Sequence, residues 1–321
     1  GKIPTGTGNG TGASPGFCID DIIVTGNSGI GETFYNLTCD KTIATTELWC
    51  PIDVNNNMAI SGGEFKTNSE SFPVGRNWIN SDGVLFTHGN NTITFDGNAE
   101  TKPQIIHDGN PSVPFWNVFI NNPGAQLTLE DDSLEIDNNF TLTAGTLSTG
   151  GGSFNIMLAG NWLNNGGVFV ANSNTVIFDG LSAQTLTSRG ADVNTFYNVT
   201  VNKTGNLQMA DSLTMNHSMA LIKGSLDCNN KNVRLKGDWM VGDGTTTGQF
   251  DPKTAHVTFY GTTEQIVNKR TDGNFNLTDF TFYDVVIDGT DVKFNVKSGT
   301  KKLQVNNLMI NNGKKISVLE H

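Results

Sequence analysis

One unit of about 81 residues recurs along this chain. Aromatic-led segments read TFYNLTCD (33–40), PFWNVFIN (114–121), TFYNVTVN (195–202) and TFYDVVID (281–288), so Tyr35, Trp116, Tyr197 and Tyr283 fall 81, 81 and 86 residues apart. A tryptophan preceded by Asn or Asp returns as Trp78, Trp162 and Trp239, at spacings of 84 and 77. TFDG, IFDG and TFYG place Phe95, Phe178 and Phe259 at spacings of 83 and 81. Three markers in a fixed order define a repeat. A unit that cannot bury its own apolar face must stack on its neighbours to make a core, so the chain is confined to array architectures.

Within each unit the period is two. Val176 and Phe178 in NTVIFDG, Val199 and Val201 in NVTVN, and Val257 and Phe259 in AHVTFYG take one side of short strands. Turns are marked by doublets such as Asn138-Asn139, Asn164-Asn165, Asn229-Asn230 and Asn311-Asn312, since asparagine tolerates tight corners and bonds its own backbone. Glycine numbers 37 and the strong helix formers are scarce, which makes the chain all-β. After residue 16 no Pro- or Ser-rich connector separates the units, and strand patterning runs through the boundaries, as in SFNIMLAGNWLNNGG (153–167). The expectation is a single-stranded right-handed parallel β-helix, a β-solenoid, over residues 17–318. Its units fall at about 17–95, 96–178, 179–259 and 260–318. With about eight strands and four coils per unit, some sixteen coils of about 20 residues would build a rod of about 75 Å. Residues 1–16, GKIPTGTGNGTGASPG, read as a flexible lead-in, and Leu319-Glu320-His321 as a tag remnant.

The formal net charge of −11, with 20 scattered Lys and Arg, excludes a nucleic-acid partner, which needs a basic stripe to displace phosphate counterions. No apolar run approaches the roughly 18 residues of a membrane-spanning helix, so no membrane insertion is expected. Of four cysteines, Cys39 takes the inward slot held by Ile120 and Val201 in other copies, and Cys228 shares a side with Leu226. Both read as small buried apolar groups. A bridge from Cys18 to Cys39 or Cys50 is the remaining alternative.

The grammar Gly-Asn-Trp, an Asn/Gly turn, TVIFDG, AQTLT and TFYNVTVNKTG resembles the repeat regions of large secreted, adhesin-like surface proteins of Bacteroidetes-type bacteria. The likeness spans residues 33–312. It implies a right-handed parallel β-helix, export, a surface or matrix role, and an extracellular polysaccharide or cell-surface component as partner. DSL at 132–134 and 211–213 is similar to the O-glycosylation signal of that group, and ordinary strand entry explains it equally.

Two residue sets invite a ligand. Asp96 and Asp179 of the FDG turns are a candidate calcium site, the only cofactor expected, against the plain reading of Asp-Gly as a turn pair. Trp78, Trp162 and Trp239 are either carbohydrate platforms or core rings covering a strand end. In the aromatic pairs one ring points in and one out, which makes Tyr35, Trp116 and Tyr197 the better sugar-binding candidates. For them to face out, the chain must bend after each pair and reset its alternation, and the three are then expected along one edge. Paired carboxylates for polysaccharide cleavage are limited to Glu130-Asp131-Asp132 and Asp20-Asp21. The histidines at 88, 107, 217, 256 and 321 lack zinc-ligand spacing, and no G-x-S-x-G elbow is present. No catalytic residue is assigned. The leading expectation is a non-catalytic structural or adhesive segment. A carbohydrate-binding module and a β-helix lyase or glycoside hydrolase are the alternatives.

Overall fold

Strands of Val, Ile, Leu and Phe alternating with Thr and Asn set every described strand against one from the next coil, always in parallel. The computed structural model describes residues 32–320 except 82, 98–103, 109–112, 190–193, 275–279 and 297–302. The lead-in 1–16, Cys18 and Asp20-Asp21 lie outside the described residues. The described chain is all strand and turn, with no helix, and winds as a β-solenoid of three faces. Face 1 starts at Glu32–Phe34, face 2 at 37–40 and face 3 at 45–47; the chain then returns to face 1 at Ile52–Val54.

Face 3 can be followed from end to end. It runs through Thr46, Phe65, Phe86, Phe115, Ile136, Leu158, Phe178, Val201, Leu221, Val241, Val267, Phe294 and Val318, joined by backbone pairing or, between Phe86 and Phe115, by ring contact. That is twelve turns, about 58 Å at ~4.8 Å per turn. The expected sixteen coils and 75 Å were too many. A coil holds three strand segments rather than two, and its length runs from 19 residues (Thr46 to Phe65) to 29 (Phe86 to Phe115) as loops expand between faces. The last strand, Lys315–Glu320, includes two residues set aside as tag, because backbone pairing with 291–296 does not depend on their side chains.

The sequence repeat and the coil are out of phase. From Tyr35 to Trp116 the chain passes eleven described strand segments, counting the bridge at Phe115, and it passes eleven more described segments from Trp116 to Tyr197 and again from Tyr197 to Tyr283. Eleven segments over three faces is 3⅔ turns, so each copy starts one face earlier than the last. Trp78 lies on face 2, Trp162 on face 1 and Trp239 on face 3, and their Cα partners Ile106, Leu186 and Val267 belong to those same ladders. Three copies restore the phase.

What the repeat preserves is packing. Trp78 meets Phe86 at 4.8 Å and Phe115 at 5.0 Å between ring centroids; Trp162 meets Phe169 at 4.9 Å and Phe196 at 5.2 Å; Trp239 meets Phe250 at 4.8 Å and Phe282 at 5.3 Å. These are the offset, edge-on separations aromatic rings prefer. The same aromatic trio is therefore rebuilt on each face within one continuous core. Cys39 and Cys228 are buried in it, and desolvation raises the Cys228 thiol well above its ordinary pKa.

Corners are held by polar side chains of the same repeat. Asn117 Oδ1 accepts from Asn138 Nδ2 (2.9 Å) and the Asn139 backbone N–H (3.0 Å); Asn139 Oδ1 accepts from Asn161 N–H, and Asn161 Oδ1 from Thr185 N–H. One repeat later the relay is Asn198 to Ser218 to Asp238 to Ile266. Each step gives a side-chain oxygen to a backbone amide at a corner or at the start of the next strand. Gly145 shows why glycine returns at another corner: its φ is +79°, and a Cβ there would lie 2.0 Å from Asn122 Oδ1. Gly63 and Gly224 occupy the matching corners with φ of +72° and +77°.

Candidate functional site

The expected bend after each aromatic pair is present. Phe115, Phe196 and Phe282 point into the core, the next ring turns out, and the first inward residue afterwards is Val118, Val199 or Val285, three positions on. An interval of three resets the alternation at the corner. Tyr35 is 69% exposed, while Trp116 and Tyr197 are partly buried. The expected single edge is wrong, however. Tyr35 sits between faces 1 and 2, Trp116 between faces 3 and 1, and Tyr197 between faces 2 and 3, because eleven segments are not divisible by three faces. Trp116 and Tyr197 each lean on a histidine instead, with His88 at 5.7 Å and His217 at 4.9 Å, the latter pair parallel within 1°. His217 Nδ1 is 2.8 Å from Asn198 Oδ1, and His88 Nε2 is 3.3 Å from Asp137.

Trp78, Trp162 and Trp239 offer no face to a ligand, being 0%, 1% and 0% exposed. As carbohydrate platforms they are corrected to core. Their strand parity places them with the inward Phe and Val, where a large ring removes the most apolar surface from water.

Asp96 and Asp179 do not form a shared site. Asp96 follows the face 1 strand Thr92–Phe95, and Asp179 the face 3 strand Thr175–Phe178. They lie on different corners several turns apart. Desolvation is the first cause raising both carboxyls, helped by Asp53 at Asp96 and Asp137 at Asp179. Among the described residues no group of three or more His, Cys, Asp or Glu comes together to hold a metal, whereas calcium takes six to eight oxygens. The acidic run 130–132 is already engaged: Asp131 lies 2.7 Å from His107 Nδ1, and Asp132 Oδ1 accepts the Ser133 amide at 2.6 Å.

Two features carried little local signal. Gln104, Gln184 and Gln265, near 81 residues apart, are buried in the core. Their amides donate to carbonyls at coil corners: Gln104 to Gly75, Gln184 to Leu158 and Gly160, Gln265 to Leu235 and Gly237. Lys203 is likewise buried and donates to the Ser182 carbonyl at 2.5 Å and the Asn206 carbonyl at 3.3 Å. Desolvation lowers its pKa and Asp179 opposes that shift. Alternation marks neither the lysine nor the glutamines as buried; only recurrence at the repeat interval marks the glutamines.

The other feature is a cleft of about 710 Å³ on face 1 near the C-terminal end. Among the described residues strand Gln249–Asp251 pairs only with 225–227 behind it, and 280–282 pairs with 303–305 ahead. Among the described residues no backbone pairing joins the two strands. Phe250 spans the gap instead, stacked on Phe280 at 5.5 Å and 5°. The opening is bordered by Asp251 and Lys253 on one side and by Thr281, Tyr283, Gln304 and Asn306 on the other. Comparison of the chain with protein-family models, curated proteins and solved structures yields no match.

Proposed function

We propose that this chain is a non-catalytic structural and attachment segment of an extracellular protein, useful for its length and rigidity. One observation carries the reading. The residues that recur at the repeat interval are used inside the rod: Trp and Phe in the core, Gln beneath the corners, Asn and Gly at the corners. The 3⅔-turn phase then scatters any recurring outward ring onto three different corners, so the repeat builds a shaft and not a row of ligand sites. The likeness of its grammar to adhesin-like bacterial surface repeats supports export. The test is surface labelling: antibodies raised against this segment should stain intact, unpermeabilised cells of its source, and protease added outside should remove the signal. Staining that needs permeabilisation would sink the extracellular reading. Release of reducing ends from neutral or acidic polysaccharides by the purified chain would sink the non-catalytic one.

A further inference from the structure

At the relay corners amide side chains are occupied with the rod's own backbone; Gln304 and Asn306 beside Tyr283 are not. Thr281 and Gln304 are register partners on adjacent strands, and Tyr283 and Asn306 follow them at the same corner, between the pairs Phe282–Val305 and Asp284–Asn307. All four are exposed, Tyr283 at 36%. Among the described residues the side chains of Thr281, Gln304, Asn306 and Tyr283 have no hydrogen-bond partner, in contrast to the relays at Asn117 and Asn198. The fourth aromatic of the repeat thus borders this cleft.

We propose that this cleft binds a neutral saccharide chain, with the Tyr283 ring as platform and Thr281, Gln304 and Asn306 as hydroxyl partners. A pyranose has an apolar face that packs on an aromatic ring and a rim of hydroxyls that both donate and accept. The cleft offers both: a ring with amides and a hydroxyl spaced along the strand at about 6.4–6.8 Å for every second residue. Its volume lies in the range of small-ligand sites. The charges at its border cancel, because Lys253 Nζ lies 2.6 Å from Asp251 Oδ2. Among the described residues at that border no unpaired cation is left to select a uronic acid or a phosphate. An open groove rather than a closed pocket suits a chain entering and leaving along the surface.

This inference is independent of the scaffold reading, which surface labelling tests and which stands if no sugar binds. The experiment is calorimetric titration of the full chain with cellohexaose, xylohexaose, mannohexaose and maltohexaose, and with hexagalacturonate as the acidic comparator. Saturable binding of at least one neutral hexasaccharide is expected. Tyr283→Ala should weaken it tenfold or more, and Gln304→Ala and Asn306→Ala severalfold each. Tyr35→Ala, which removes an exposed repeat ring outside this cleft, should leave affinity unchanged. All four side chains are exposed, so unchanged thermal melting confirms that each variant is folded. Binding of none of the neutral sugars, binding of hexagalacturonate alone, or binding that survives Tyr283→Ala would each overturn the proposal.

Discussion

Trp162→Ala tests whether the recurring tryptophan is core or ligand surface. Its ring is 1% exposed and lies 4.3 Å from Phe140, 4.9 Å from Phe169 and 5.2 Å from Phe196. Burial of up to about 250 Å² at ~25 cal/mol/Å² gives an upper bound of about 6 kcal/mol. Part of the cavity collapses on truncation, and measured Trp→Ala losses run to about 3–5 kcal/mol. We expect a loss in that range, read by urea unfolding followed by circular dichroism. Phe196→Ala made together with Trp162→Ala should show a coupling of about 0.5–1.5 kcal/mol. Trp162→Ala and Trp239→Ala, several turns apart, should add within about 0.5 kcal/mol, as expected of a nearest-neighbour array. Tyr35→Ala, at an exposed corner, should stay within about 0.5 kcal/mol of the parent. A Trp162→Ala cost below about 1 kcal/mol, or a Tyr35→Ala cost as large as that of Trp162→Ala, would refute the core assignment.

Gly145→Ala should destabilise by more than about 1 kcal/mol, because φ is +79° and the new Cβ meets Asn122; no loss in a urea melt would contradict the corner geometry. Gln184→Leu should cost about 1–3 kcal/mol by stranding the Leu158 and Gly160 carbonyls, again read by urea unfolding. Glu135→Gln tests the acidic corner. Desolvation first, then Asp137 and Asp179, raise its folded pKa, so the folded state holds the proton more tightly and stability falls as pH rises from the ordinary carboxyl pKa through the raised one. The variant should therefore melt about 1–3 °C higher at neutral pH and no differently well below the ordinary carboxyl range; an equal gain at both pH values would rule out the electrostatic cause.

Strand content, inward Val and Phe, the buried cysteines and the corner bend were legible because each depends on alternation over a few residues. Alternation says which side a residue takes, not which of three faces its strand occupies. Face identity comes from counting segments through loops of unequal length, such as 86–115, where the two ends of one coil are 29 residues apart. The number of turns and the scatter of Tyr35, Trp116 and Tyr197 over three corners were hidden for that reason. The cleft was hidden for another: Lys253, Tyr283 and Asn306 meet only because Gln249–Asp251 and 280–282 fail to pair, and no local pattern announces a missing pair. Gln104, Gln184 and Gln265 give no local sign of burial because glutamine is usually solvated; their burial becomes sensible only when the carbonyls beneath them are known.

The phase shift has a consequence for folding. If the three faces were individually shaped, a segment suited to one would not fit another, yet the Trp–Phe–Phe trio occurs on face 2, face 1 and face 3 at nearly the same ring distances. A segment's neighbours in the repeat therefore matter more than the face it lands on. Deleting residues 116–196 joins Phe115 to Tyr197, leaves the repeat grammar unbroken, and moves every later segment onto a different face. We expect that chain to fold with cooperative melting into a rod of 8⅓ turns, shorter by about 18 Å at ~4.8 Å per turn. Small-angle scattering reads the length. Deleting residues 143–164, a single turn from face 1 to face 1, keeps every later strand on its own face but removes Trp162 from Phe169 and Phe196. That smaller deletion should be the less stable of the two. The reverse order, with the 81-residue deletion aggregating and the one-turn deletion melting like the parent, would show that the faces are distinct and that the repeat is not the unit from which this core is assembled.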